Sequence, residues 1–222
     1  MPAQGKFIVI DGGEGTGTTS VSKYVVGLLN NSANEVPIIY TREPGGSGFA
    51  EKVRAAILAP EAKETPPEAL FYAFWAARIE HLHHTVLPAL DRGSHVFCDR
   101  FDSSTWAYQI VAQERPALTG EFWEMRSRYV EHRAMRMARP AHYIVLDASP
   151  EVALARIRRR RGAKTHFDQR SLEFHHKVRA GFLDFVDRIK LSTPCSVVDA
   201  SGPENQVQTK VLNIVQKVLK GD

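Results

Sequence analysis

The stretch FIVIDGGEGTGTTS, Phe7–Ser20, decides the fold. Phe7–Ile10 is a short, fully apolar run, the mark of a strand covered on both faces. Gly12 and Gly17 then hold the spacing of a phosphate-binding loop, and Thr19 holds its hydroxyl position. Such a loop turns tightly through its glycines and points backbone N–H groups inward. With the N-terminus of the next helix it makes an anion cradle. The lysine position of the pattern holds Thr18, so the mobile positive charge that reaches the outer phosphates is missing.

Working outward, strands alternate with helices. A helix from about Thr18 places Val21, Val25 and Leu28 on one face. Val36–Tyr40 reads as a second strand. A helix from about Phe49 carries Val53 and Ile57, and a long one spans about Glu68 to Leu90. HVFCD, 95–99, is a third strand, and further helical stretches reach about Arg139. Tyr143–Leu146 is a fourth strand. Ser149 then reads as an N-cap, with Pro150 at the first helical position. A helix over 172–190 repeats Phe174, Val178, Phe182, Phe185 and Ile189 at helical spacing. Ser196–Val198 is a fifth strand. Ser201 and Glu204 suggest a capping box for a last helix that buries Val207, Val211, Ile214 and Val218. The expectation is an α/β three-layer sandwich on a five-stranded parallel sheet, with the glycine loop at the carboxyl end of its first strand.

Composition agrees with one large domain. The chain has 222 residues, 43% of them apolar, and a formal charge of +4 from 29 basic and 25 acidic residues. Cys98 and Cys195 adjoin strand ends in apolar surroundings and read as buried thiols rather than a disulfide or metal pair. No signal peptide or membrane span is visible, so a cytoplasmic protein with no membrane partner is expected.

Four motifs in order resemble the thymidylate kinase family over nearly the full chain. They are IVIDGGEGTGTTS, TREPGG (Thr41–Gly46), FWAAR (Phe74–Arg78) and DRFDSSTWAYQ (Asp99–Gln109). LDASPEVALARIRRRRG, Leu146–Gly162, resembles the strand, turn and helix that lead to a mobile lid, at about 157–170, in a single kinase domain. The resemblance implies ATP-dependent phosphorylation of dTMP to dTDP by in-line transfer, with Mg2+ as cofactor. ATP phosphates would lie on Gly12, Gly13, Glu14, Gly15, Thr16, Gly17, Thr18, Thr19 and Ser20. Thr19, Asp99 and Asp11 would serve the metal. The acceptor would meet Arg42, Glu43, Pro44, Phe74, Arg78, Arg100, Ser104, Tyr108 and Gln109. In this picture Phe74 stacks on thymine, Arg78 bonds its carbonyl, and Arg100 touches the acceptor phosphate.

Arg100, Asp11 and the lid residues Arg158 and Arg161 would take part in catalysis. Glu14 is followed by Gly15 rather than arginine, which resembles the bacterial type, whose lid supplies the missing cation. Arg156, Arg159, Arg160 and Arg170 are neighbouring candidates. The arginine run lacks interleaved aromatics and a nucleic-acid-binding motif, so no nucleic acid is expected. A homodimer is expected from the resemblance.

Two positions depart from the family pattern. Thr18 replaces the loop lysine. Trp106 replaces a frequent glutamine and would face either the base pocket or the core. The alternatives are a kinase for another deoxynucleoside monophosphate and a non-catalytic nucleotide-binding paralogue.

Overall fold

The computed structural model describes residues 5–31, 36–131, 138–159 and 165–221. Five strands, β1 (Phe7–Gly12), β2 (Ile38–Arg42), β3 (His95–Asp99), β4 (His142–Asp147) and β5 (Cys195–Asp199), form one parallel sheet in the order β2-β3-β1-β4-β5. Between β1 and β2 lies α1 (Thr18–Asn31), and between β2 and β3 lie α2 (Gly48–Leu58), α3 (Pro67–His81) and α4 (Leu87–Asp91). Next come α5 (Asp102–Thr105) and α6 (Thr119–Arg126), then α7 (Pro150–Arg159) and α8 (Leu172–Ile189) on either side of the arginine-rich stretch, and finally α9 (Glu204–Lys220).

The period-two alternation of the strands splits the core into two layers. Ile8, Ile10, Phe97, Ile144 and Leu146 face Val21 and Val25 of α1 and Val207, Val211 and Val215 of α9. Phe7, Val9, Val96, Cys98 and Tyr143 face Trp75, Phe122 and Phe185 on the other side. Helices therefore cover both faces of the sheet, making the expected three-layer α/β sandwich. The chain leaves β1 for β2 on one side and later reaches β4 on the other, which opens a crevice at the strands' carboxyl ends.

Several local expectations shift. In α1 the inner face runs Val21, Val25, Leu29, each a step of four; Leu29 is 4% exposed and Leu28 40%. β2 begins two residues later than the sequence suggests, at Ile38, and Val36 is exposed. The expected capping box does not form. The N-cap of α9 is Pro203, in an extended conformation, while Ser201 donates its N–H to Asp199 Oδ1 at 2.9 Å. The long helix over 68–90 is interrupted by a π-helical turn, Leu82–Val86, in which Leu87 N–H bonds back to the Leu82 carbonyl. Pro88, one residue further on, has no N–H to continue the ladder. Cys98 is buried and Cys195 half-buried, and both are free thiols; burial pushes both pKa values up.

The orientation of Trp106 is settled. It is 2% exposed, packs on Phe122 and Trp123, and donates its indole N–H to Asp184 at 2.8 Å. It faces the core, away from the crevice.

Candidate active site

The crevice holds a cavity of about 860 Å³. One wall is the glycine loop from Gly13 to Ser20. Gly15 and Gly17 have φ of 78° and 96°, which glycine adopts without strain. A Cβ on Gly15 would lie 2.3 Å from the Ala153 carbonyl oxygen, so α7 packs directly under the loop. The Gly13 carbonyl accepts from both Thr16 N–H and Thr16 Oγ1, closing the turn. The first N–H groups of α1, beginning at Thr18, point at the cavity as at any helix N-terminus. Thr18 lines the cavity but brings no charge, and its carbonyl accepts from Ser22 Oγ at 2.6 Å.

The opposite wall comes from α3 and from the loops that follow β2 and β3. α3 carries Phe74 and Arg78 four residues apart, and both line the cavity. Arg78 is 1% exposed. Its Nε donates to Glu43 Oε2 at 2.8 Å and its Nη2 to Thr105 Oγ1 at 3.1 Å. Its Nη1 is buried with no partner among the described residues, as is Nε2 of Gln109. Ser104, Tyr108 and Gln109 share the cavity side because α5 widens into a π-helical turn, Trp106–Val111. A wider turn brings residues four and five apart onto one face. Pro44 lines the cavity too, and the Glu43–Pro44 peptide is cis.

Arg100 follows β3 at φ 72°, a left-handed conformation uncommon outside glycine that a chain retains where its surroundings enforce it. Its N–H bonds the Ile10 carbonyl at 2.9 Å. Its guanidinium donates to the Gly12 carbonyl at 2.9 Å and to Ser104 Oγ at 3.2 Å, beside Glu14. Glu14 also accepts the hydroxyl of Tyr108, whose pKa is pushed up by burial and by that carboxylate. Asp11 is fully buried behind the loop. It accepts from Gly12 N–H and Ser104 on one oxygen, and from Phe101 N–H and Ser103 on the other. Burial raises its pKa, while Arg100 and these bonds pull it down. Both Asp11 oxygens are thus engaged by protein groups, and neither Asp11 nor Asp99 is among the residues that line the cavity.

The residues fit a magnesium ion of the kind that keeps most of its waters. Asp99 Oδ2 accepts from Thr19 Oγ1 at 2.5 Å, and its Oδ1 is buried with no partner among the described residues. Among the described residues no group of three or more His, Cys, Asp or Glu converges as an all-protein metal cage. One carboxylate and one hydroxyl beside phosphates is the usual magnesium arrangement.

Other expected residues lie elsewhere. Arg42 is turned away from the cavity, with Nη2 held by both carboxylate oxygens of Glu51 at 3.0 Å. Gly12 lies just behind the wall. Arg158 and Arg159 are exposed at the end of α7, outside the cavity wall, and Arg160 and Arg161 lie outside the described residues. Arg170 sits over the Phe174 ring at 4.3 Å.

The cavity wall also contains side chains that sequence reasoning passed over. Arg54 of α2 donates Nη1 to the Pro44 carbonyl at 2.8 Å and faces the cavity. Burial lowers its pKa, and the nearby Arg42 charge lowers it further. Its place one helical turn after Glu51 was the available signal. Arg156, a secondary candidate, lines the cavity flat against the carbonyls of Ala200, Ser201 and Gly202. Phe167 packs edge-on against Tyr108 at 5.6 Å and closes the far side.

The Thymidylate kinase family model matches residues 10–211. The thymidylate kinase of Symbiobacterium thermophilum is 37% identical over 220 residues, covering 96% of this chain and 94% of that one. That of Ligilactobacillus salivarius is 37% identical over 223 residues, covering 97% and 100%. The crystal structure of thymidylate kinase from Ehrlichia chaffeensis shares the fold with a TM-score of 0.72 at 24% identity, covering 96% of this chain and 99% of that one. The chain therefore belongs to the thymidylate kinase family.

Proposed function

We propose that the protein transfers the γ-phosphoryl group of ATP to dTMP, giving dTDP. One observation carries the acceptor side: two buried donors, Arg78 Nη1 and Gln109 Nε2, lack partners among the described residues, on side chains that line the cavity together with Phe74. Buried donors are nearly always paired, so an acceptor belongs there. The carbonyl edge of a thymine ring supplies such acceptors, and Phe74 offers its face for stacking.

The acceptor phosphate then points toward Arg100 and Arg54. An oxygen of that phosphate attacks the γ-phosphorus of ATP, and the bond to the β-bridging oxygen breaks in line. No covalent enzyme intermediate is needed, and catalysis is mainly placement and charge neutralisation. The loop N–H groups from Gly13 to Ser20 hold the donor phosphates. Thr19 and Asp99 would hold magnesium, which when bound neutralises phosphate charge. Asp11 and Glu14 keep Arg100 aimed. Arg42, tied to Glu51, shapes the acceptor loop and adds positive potential from behind it.

The segment at about 157–170 serves as the closing lid, with Arg158 and Arg161 supplying charge that Thr18 lacks. The arginine run in the sequence and the docking of Phe167 on Tyr108 support this reading. The active form is a homodimer, as the family resemblance suggests. No described helix is long and apolar enough to cross a membrane.

The rival reading in which Trp106 alters base choice loses its motive, because the indole faces the core. The test is diphosphate formation from dTMP, dUMP, dCMP, dGMP and dAMP with magnesium-ATP. dTMP is expected to be preferred, with dUMP behind by about 1 kcal/mol or more for the missing methyl. Equal or better use of dCMP or a purine monophosphate would overturn this assignment.

A further inference from the structure

We infer that His81 is a positioning residue for base recognition, acting through Glu43 on Arg78. The inference rests on the base site proposed above. Phe74, Arg78 and His81 follow one another on α3 at steps of four and three, so they share a face. Phe74 and Arg78 reach the cavity, while His81 lies one turn behind it and is fully buried.

Both ring nitrogens of His81 are engaged. Nδ1 lies 2.9 Å from Glu43 Oε1, and Nε2 lies 2.7 Å from Thr41 Oγ1. An ionised carboxylate can only accept, so the Nδ1 proton is donated to Glu43. In the neutral ring, Nε2 then accepts the Thr41 hydroxyl proton. The other Glu43 oxygen accepts from Arg78 Nε at 2.8 Å. Glu43 is thus held between the imidazole and the guanidinium, one partner to each oxygen. With Nε held by Glu43 and Nη2 by Thr105, Nη1 is the nitrogen left without a partner among the described residues, on a side chain that lines the cavity.

Without the Nδ1 donor, one oxygen of a buried carboxylate loses its hydrogen bond. The carboxylate can recover one by turning both oxygens toward Arg78. That movement would draw Nη1 out of the direction in which a base carbonyl meets it.

The loop is shaped around this ring. A Cβ on Gly46 would lie 2.6 Å from His81 Cδ2 and 2.6 Å from Thr41 Oγ1, and its φ is +83°. The second glycine of TREPGG therefore sits where the imidazole leaves no room for a side chain. The π-helical turn starts at the next residue, Leu82, and Thr85 from it donates to the Gly46 carbonyl at 2.6 Å. His81 is the point where the acceptor loop and α3 are keyed together.

The test measures dTMP and ATP binding separately by calorimetry, so it does not depend on turnover. His81→Leu removes both ring nitrogens. It is expected to weaken dTMP binding about tenfold while leaving ATP binding unchanged. His81→Asn, whose amide can take the place of Nδ1–H, is expected to stay within about threefold of wild type. In an Arg78→Ala background, His81→Leu should cause no further loss, because the two act on one contact. Wild-type dTMP affinity in the leucine variant, equal loss of both ligands, or full additivity with Arg78→Ala would each overturn the inference. If the leucine variant does not fold, His81→Gln decides, because its longer amide reaches the Nε2 position and leaves Glu43 without the Nδ1 donor. dTMP weakened with ATP unchanged supports the role; dTMP at wild type, or both ligands weakened, refutes it. A wild-type protein that binds no dTMP would remove the base site itself and this inference with it.

Discussion

Replacing Arg78 with alanine is expected to lower kcat/KM for dTMP by about a thousandfold, roughly 4 kcal/mol, while ATP affinity stays near wild type. Two losses combine. The first is the hydrogen bond from Nη1 to the base, worth about 1.5–3 kcal/mol for a charged donor. The second is the ion pair with Glu43, whose carboxylate is about as buried as the arginine it holds, at 3% and 1% exposure. Left with His81 alone, that carboxylate sits uncompensated in a dry wall of the site. Arg78→Lys should not rescue, since a single ammonium cannot reach Glu43, Thr105 and the base together in the planar fork that arginine provides. Steady-state kinetics with dTMP varied and ATP varied separately reads this directly. A loss confined to ATP would place Arg78 on the wrong side of the reaction.

The second large effect concerns stability rather than binding. Arg126 is 1% exposed, donates Nε to Asp102 Oδ2 at 2.8 Å, and lies over the rings of Trp123 and Phe185. Tyr143 from β4 donates to the other Asp102 oxygen at 2.6 Å. This buried group pins α5, which leads into the π-helical turn bearing Tyr108 and Gln109, to α6 and β4. Arg126→Ala is expected to cost about 3–5 kcal/mol, because Asp102 is left as a buried charge without its cation. Urea unfolding followed by circular dichroism measures it. The double variant Asp102→Asn, Arg126→Met should recover a large part of that loss, since no buried charge then remains to be paired and Glu131, the other carboxylate on Arg126, is 35% exposed and can be solvated. A loss under about 1 kcal/mol for Arg126→Ala would show that water reaches Asp102 and solvates it.

Much of the fold is legible in the sequence because it depends on local pattern. The apolar runs at Phe7–Ile10 and His95–Asp99, the glycine spacing of the loop and the helical spacing of Phe174 through Ile189 each report their own neighbourhood. Phe74 and Arg78 were legible as a pair, since four residues on a helix fix a shared face. What escaped depends on contacts between distant segments. Arg42 is held by Glu51, and Arg54 lines the cavity with its guanidinium on the Pro44 carbonyl. The direction of Trp106 follows from a π-helical turn, which changes the residues-per-turn count on which face assignments rest. In α1 the expected Leu28 gives way to Leu29, a face displaced by one residue. His81 carried no signal of its own, because its partners Thr41 and Glu43 lie about forty residues away in the chain.

A phosphate loop with Thr18 in place of its lysine is expected still to support phosphoryl transfer to dTMP. The loop retains the N–H groups of the glycine turn and of the start of α1, together with the Thr19 hydroxyl. Arg54 and Arg100 line the same cavity, and arginine serves as a charge even though its fork needs different geometry from an ammonium. The most direct measurement is dTDP formation by wild-type protein and by Thr18→Lys, with magnesium-ATP and dTMP, and ATP binding measured alongside. Wild type is expected to form dTDP, and the lysine variant to change the rate without being required for it. Wild-type protein that binds ATP but forms no dTDP, with transfer restored by Thr18→Lys, would contradict it and leave a nucleotide-binding protein that has lost catalysis.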